Sequence, residues 1–153
     1  MQKLRILNSK EAKKIYSFIE QQWGCDVDLE YTFLQNERNK IYVINKKFGE
    51  IDVKKLRINS VGLQFGEETE HGLRLSIEGS QLIGKFAKKN ILELSLEQLK
   101  EWMAGSDLEN TFGFSGFILI RYKGDFIGTG KAVGNKIYNY VSKIRRVNLA
   151  VLG

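Results

Sequence analysis

The chain has 153 residues, 42% hydrophobic and 11% aromatic, with a formal net charge of +6. Such a composition is that of a globular chain rather than a disordered one, and the length fits one domain or two small ones sharing a core. No apolar run approaches the roughly 20 residues a bilayer span requires, and Cys25 with His71 are the only cysteine and histidine, too few for a disulfide or an ordinary zinc site. The stretch Met1–Leu7 has no apolar leader region, so a cytoplasmic protein without a membrane partner is expected. Proline is absent, which leaves turns to fifteen glycines together with Asn, Asp and Ser.

In chain order, Leu4–Leu7 reads as a first strand. Asn8 with Glu11 forms a capping box, and Ala12, Ile15, Tyr16, Ile19 and Trp23 recur at helical spacing until Gly24. Leu29–Leu34 alternates as a half-buried strand, residues 36–39 turn, and Ile41–Ile44 returns. Phe48–Leu56 reads as a short second helix, and Ile58–Phe65 as a strand ending at Gly66. These form a small α/β unit, residues 1–66. The acidic run Glu67-Glu68-Thr69-Glu70-His71-Gly72 reads as a loop and as the boundary with a second unit, residues 73–153.

In that second unit Leu73–Ile77 is a strand, Glu78-Gly79-Ser80 a turn, and Gln81–Phe86 a short helix. Ile91–Leu94 is extended. Ser95 with Gln98 caps a helix whose buried face is Leu96, Leu99, Trp102 and Met103, and Asp107–Gly113 is a loop. Phe117-Ile118-Leu119-Ile120 is the continuous apolar run of a strand buried on both faces. Lys123-Gly124-Asp125 turns, and Phe126–Val133 returns with Gly128 and Gly130 marking a bulge or close backbone approach. Gly134-Asn135 turns again, and Lys136–Tyr140 and Val147–Leu152 are the last strands.

Several motifs carry little chemistry. Gly128-Thr129-Gly130-Lys131 resembles part of a phosphate loop, but Asp125 and Ala132 stand where glycine and Ser/Thr are needed, and no helix follows. Cys25 lies past a helix end, where the dipole opposes thiolate formation. His71 and the acids Glu67, Glu68 and Glu70 read as a solvated loop. No catalytic residue, metal ligand or cofactor is expected.

Charge is the informative feature. Residues 121–146 hold Arg121, Lys123, Lys131, Lys136, Lys143, Arg145 and Arg146 against a single acid, Asp125. The other 127 residues balance at seventeen basic and seventeen acidic. An edge hairpin can be basic simply to discourage aggregation. That role does not require acids to be emptied from one segment, nor Tyr138, Asn139 and Tyr140 to be interleaved with the cations. Cations that neutralise phosphates beside rings that stack on bases are what a nucleic-acid surface needs. The candidate contacts are Arg121, Lys131, Lys136, Tyr138, Asn139, Tyr140, Lys143, Arg145 and Arg146.

From Leu73 onward the chain resembles the C-terminal RNA-binding region of Fmu/Sun-type rRNA cytosine-5 methyltransferases, a PUA-like domain. The matching stretches are Leu75–Ile83, Leu92–Ser95 with Trp102–Gly105, Gly116–Ile120, Gly128–Lys131 and, most specific, Lys136–Arg146. Ser142 stands where that family usually has proline, and Tyr138 precedes Asn139 in place of a basic residue. The small unit ahead of it is similar to the arrangement in Nip7-type ribosome-assembly factors. The resemblance implies an α+β fold with a C-terminal PUA-like mixed β-barrel. It implies a non-catalytic RNA-binding role in rRNA maturation or ribosome biogenesis, with structured rRNA or tRNA as partner. A methyltransferase core would need a Rossmann-like cofactor domain and a Pro-Cys pair, for which this chain has neither room nor proline. The alternative is an adaptor that recruits a separate RNA-modifying enzyme such as a methyltransferase, or one that docks on pre-ribosomal proteins. A third reading is a small enzyme with a pocket joining Cys25, His71 and acids.

Overall fold

A computed structural model of the protein describes residues 3–45 and 62–146. The helix expected at Phe48–Leu56, the start of the strand expected at Ile58–Phe65 and the strand expected at Val147–Leu152 lie outside those residues.

Strand β1 (Leu4–Ile6) leads into helix α1 (Ser9–Trp23). Its start is local chemistry. The Asn8 side chain accepts from the Glu11 N–H, and the Glu11 carboxylate accepts from the Asn8 N–H, so two orphan donors are satisfied reciprocally. Gly24, left-handed at φ 70°, ends it. Strands β2 (Tyr31–Asn36), β3 (Lys40–Asn45), β4 (Leu63–Thr69) and β5 (Gly72–Leu75) complete an antiparallel sheet of order β1-β2-β3-β4-β5. Ile15, Ile19 and Trp23 of α1 bury themselves on Phe33, Ile41, Val43, Phe65 and Leu73 of one sheet face. Leu34, Tyr42 and Ile44, one residue out of phase, form a cluster on the other face.

The run at 67–72 corrects the expectation. It is no boundary loop: Glu67, Glu68 and Thr69 continue β4, and residues 70–71 are the turn of a β4–β5 hairpin. The acids point out of a sheet and meet cations there, Glu67 with Arg74 and Glu68 with Lys14. Consecutive on the strand, the two glutamates point to opposite faces and each finds a cation on its own side.

Helix α2 spans Ile77–Gly84, with Ser76 as N-cap. Glu78, Gly79 and Ser80 are therefore its first turn, not a turn before it. Ser76 accepts from the Gly79 N–H, and Gly79 lies so close to the Phe65 carbonyl of β4 that a Cβ there would collide with backbone. Strand β6 (Ile91–Glu93) and helix α3 (Leu96–Met103) follow, the latter with the expected Ser95–Gln98 capping box. Trp102 is fully buried and Leu99 and Met103 are half-buried, but Leu96 is 52% exposed: it sits at the first helical position, turned from the core. The segment 107–113 is not all loop, because β7 (Leu108–Glu109) pairs with a later strand.

Strands β8 (Gly116–Tyr122), β9 (Asp125–Val133) and β10 (Lys136–Asn139) make a meander, and the second sheet has the order β6-β8-β9-β10-β7. It is mixed, since β6 runs parallel to β8. Among the described residues it is open, with β6 and β7 as edges, rather than a closed barrel. Phe117 and Leu119 face the first core, and Ile118 and Ile120 face a second core built on Leu92, Trp102, Ala132 and Ile137. The apolar run is thus buried on both sides, as expected. The bulge falls at Ile127, where Ile120 pairs with Gly128 and Arg121 with Phe126; Gly128 takes φ 127°. Gly130 allows a close approach, for a Cβ there would lie 2.7 Å from Ile137 and 2.8 Å from Trp102.

The two sheets are joined. The Trp23 indole N–H donates to the Phe117 carbonyl at 3.1 Å, and the buried Thr129 hydroxyl donates to the Leu75 carbonyl at 3.0 Å. The change of sheet falls between Leu75 and Ile91, with α2 as the connector.

Candidate nucleic-acid interface

The β9–β10 hairpin sets the geometry. Its register pairs Val133 with Lys136 and Lys131 with Tyr138, so these four side chains share one face. The same row continues to Phe117 on β8, and the Lys131 ammonium lies 5.8 Å from the Phe117 ring centroid. Helix α1 and the first sheet cover Phe117, but their cover stops before the hairpin's outer part. Val133 is 52% exposed, Tyr138 42% and Tyr140, just past the strand, 41%. The reverse face carries Ala132 and Ile137 into the second core. One amphipathic hairpin thus holds a buried apolar face and an open face of lysines and tyrosines. Lys131, Lys136 and Lys143 form no ion pair among the described residues, so their charge is available.

The row ends in a cleft of about 270 Å³ between the two sheets, lined among others by Lys40, Arg74, Tyr140, Ser142 and Arg145. The Arg74 guanidinium lies 4.2 Å from the Tyr140 ring centroid, a cation–π stack, and pairs with Glu67 at 2.7 Å. Arg145, in the short 3₁₀ turn Lys143–Arg145, pairs with Glu78 at 2.8 Å. These carboxylates hold two planar forks in place at the cleft and offset part of their charge. Arg74 and Lys40 come from the first sheet and were not among the sequence candidates. Leu73-Arg74-Leu75 does show that Arg74 points away from two buried leucines. Nothing near it in sequence shows that it meets Tyr140.

Three candidates make hydrogen bonds or ion pairs within the protein. Asn139 is structural: its amide donates to the carbonyls of Trp102 at 2.8 Å and Ser106 at 2.9 Å and accepts from the Val141 N–H at 2.7 Å. An amide so engaged is not presented to a base edge. Arg121 lies near the opposite end of the β8–β9 hairpin from Lys136, roughly 20–23 Å away along β9 at about 3.3 Å per residue. There it pairs with Glu93, and that hydrogen bond holds the Glu93 carboxyl below the usual range. It lines, with Lys85, a separate shallow depression beside Phe126. Arg146 is exposed, but its Nε donates to the Val141 carbonyl at 3.1 Å, fixing the guanidinium over the end of α3.

The enzyme alternative finds little. Cys25 is 2% exposed and burial pushes its thiol up to about 11, against a smaller opposing pull from Lys88. His71 is exposed in the β4–β5 turn, and neither residue lines the cleft or the depression. No cluster of His, Cys, Asp or Glu fit to hold a metal occurs among the described residues. Gly128–Lys131 lies within β9, so the phosphate-loop resemblance has no helix to complete it. Among the described residues no helix is long and apolar enough to cross a membrane.

A family model for the methyltransferase RsmF PUA domain matches residues 89–147, the stretch that builds the second sheet, α3 and the 3₁₀ turn. Ribosomal RNA small subunit methyltransferase F of Aeromonas hydrophila is 31% identical over 149 residues, covering 95% of this chain and 30% of that protein. Its counterpart in Aeromonas salmonicida is 31% identical over 135 residues, and that of Shewanella oneidensis 26% over 132, each with 27% of its length covered. The similarity therefore reaches well ahead of Leu73, into α1 and the first sheet. The chain spans under a third of the length of these curated relatives.

Proposed function

This chain carries a PUA-like domain of the Fmu/Sun-type rRNA methyltransferases, and from that premise we propose that it is a non-catalytic RNA-binding protein of rRNA maturation. The observation that carries the reading is the open β9–β10 face, where Lys131, Lys136, Tyr138 and Val133 share one side of a rigid hairpin leading to the Arg74–Tyr140 stack. Lys131, Lys136, Lys143, Arg145 and Arg146 contact phosphates. Tyr138 and Tyr140 stack on bases, and Arg74 and Lys40 extend the footprint across the cleft. Helix α1 and the first sheet, most of residues 1–66 with β5 added, act as a brace for the RNA-holding part within residues 73–153, which carries the PUA-like sheet. The partner is structured RNA, rRNA in the first place and tRNA in the second, read by shape and sugar contacts more than by a linear sequence.

Five phosphate contacts give a log–log slope of affinity against salt of roughly −3.5 to −4.5. The variant Lys131→Glu with Lys136→Glu is expected to lose about tenfold or more in affinity for total cellular RNA in filter binding at 0.1 M salt, and to flatten the slope by about 2. Unchanged retention overturns the reading. Crosslinking in cells followed by sequencing of the bound RNA identifies the target.

A second reading, an adaptor that brings RNA to a separate methyltransferase, is favoured by one observation. In the relatives the matched part is joined to the remaining two-thirds of proteins that are named methyltransferases. Co-purification of such an enzyme, lost on substitution outside the basic face, is its signature.

A further inference from the structure

The loop of residues 110–115, between β7 and β8, holds the most exposed large apolar side chain among those described. Phe112 is 74% exposed. A free phenylalanine ring normally buries itself, because burial removes its apolar surface from water. This one is held out. The Asn110 side chain donates to the carbonyls of Phe114 at 2.7 Å and Gly134 at 2.9 Å and accepts from the Phe114 N–H at 2.9 Å. Its backbone N–H donates to the Asn135 carbonyl at 3.0 Å. Phe114 roots the loop in the second core, and its ring stands 6.0 Å from that of Phe112, tilted by 58°. Asn110 therefore fastens the loop to the β9–β10 turn, beside Val133 and Lys136.

We propose that Phe112 is a stacking platform for an unpaired nucleobase, extending the RNA surface past the hairpin tip. This rests on the RNA reading above. The surroundings favour a base over a protein side. A protein partner needs apolar breadth, whereas here one exposed ring stands on a loop tied to the turn between Val133 and Lys136. A base needs one ring and a nearby cation for its phosphate. Lys136 and Lys131 supply the cations; Glu109, opposite Lys136 across β7–β10, is the neighbouring acid.

The test uses two probes: an RNA hairpin whose single-stranded loop carries 2-aminopurine, and the matching blunt duplex without a loop. Phe112→Ala is expected to weaken hairpin binding about tenfold to a hundredfold, leaving duplex affinity and the salt slope unchanged. Phe112→Trp restores hairpin binding, and 2-aminopurine fluorescence is quenched by the wild type and Phe112→Trp only. Equal binding of the hairpin by Phe112→Ala and wild type overturns the proposal, as does an equal loss on both probes. If the wild type binds neither probe, the RNA reading itself falls and takes this one with it. If the wild type binds, Lys131→Glu with Lys136→Glu does not, and Phe112→Ala is indifferent, only the Phe112 assignment falls, and the tip is a protein contact.

Discussion

Asn139 shows how far a residue's type can mislead about its task. Within a basic, aromatic stretch an asparagine invites a base-reading role. Its amide instead links β10, the end of α3 and the following turn through three side-chain hydrogen bonds, while its backbone N–H donates to Asp107 at 2.8 Å. Asn139→Ala leaves two carbonyls and one N–H without their partner, so a loss of about 2–4 kcal/mol in urea-unfolding stability is expected. RNA affinity of the folded fraction should hardly change. A selective loss of RNA affinity at full stability would return Asn139 to the binding surface. Cys25 is the opposite case, a residue whose bland reading holds. With burial raising its thiol to about 11, alkylation by iodoacetamide at pH 8 should be slow in the native protein and rapid in denaturant.

At the scale of elements, what is local was legible and what is relational was not. The two capping boxes, the αL stop at Gly24 and the Lys123-Gly124 and Gly134-Asn135 turns depend on neighbours within a few residues, and all were readable. Ser95→Ala is expected to cost about 1 kcal/mol, measured by thermal or urea unfolding, because the Gln98 N–H loses its acceptor. Helix α2 was shifted because Glu78-Gly79-Ser80 reads as a turn by composition. Gly79 is there to let the helix touch β4, not to break the chain. Gly79→Ala should therefore destabilise by at least the 1–3 kcal/mol typical of overpacking, despite alanine's better helix propensity. A stabilised Gly79→Ala variant would show that the approach to Phe65 is loose. The acidic run reads as a loop for the same reason: its charges belong to a strand, Glu67 answered on one face by Arg74 and Glu68 on the other by Lys14.

Over the whole molecule the two sheets share a core. The first core takes Phe117, Leu119 and Phe126 from the second sheet, and Trp23 and Thr129 bond across the junction. Trp23 reports the first core and Trp102 the second. Single-tryptophan variants, Trp102→Phe and Trp23→Phe, should show coincident fluorescence and circular-dichroism transitions in urea, each a single cooperative step. Two separated midpoints within one variant would mean that the units unfold independently.

By itself the sequence determined the starts of α1 and α3, the doubly buried strand, the turns at Lys123-Gly124 and Gly134-Asn135, the collection of charge within 121–146 and the PUA-like resemblance. Each of these is written in periodicity, capping or composition over short spans, where the energetics are set by neighbours along the chain. The tertiary structure alone decided which cations act together. Register placed Lys131, Lys136 and Tyr138 on one open face. The junction of the sheets brought Arg74 and Lys40 to Tyr140. Internal hydrogen bonding withdrew Asn139, and the length of β9 carried Arg121 away. Side chains from distant strands meet only where a shared core holds their backbones, and no local pattern in the chain records that meeting.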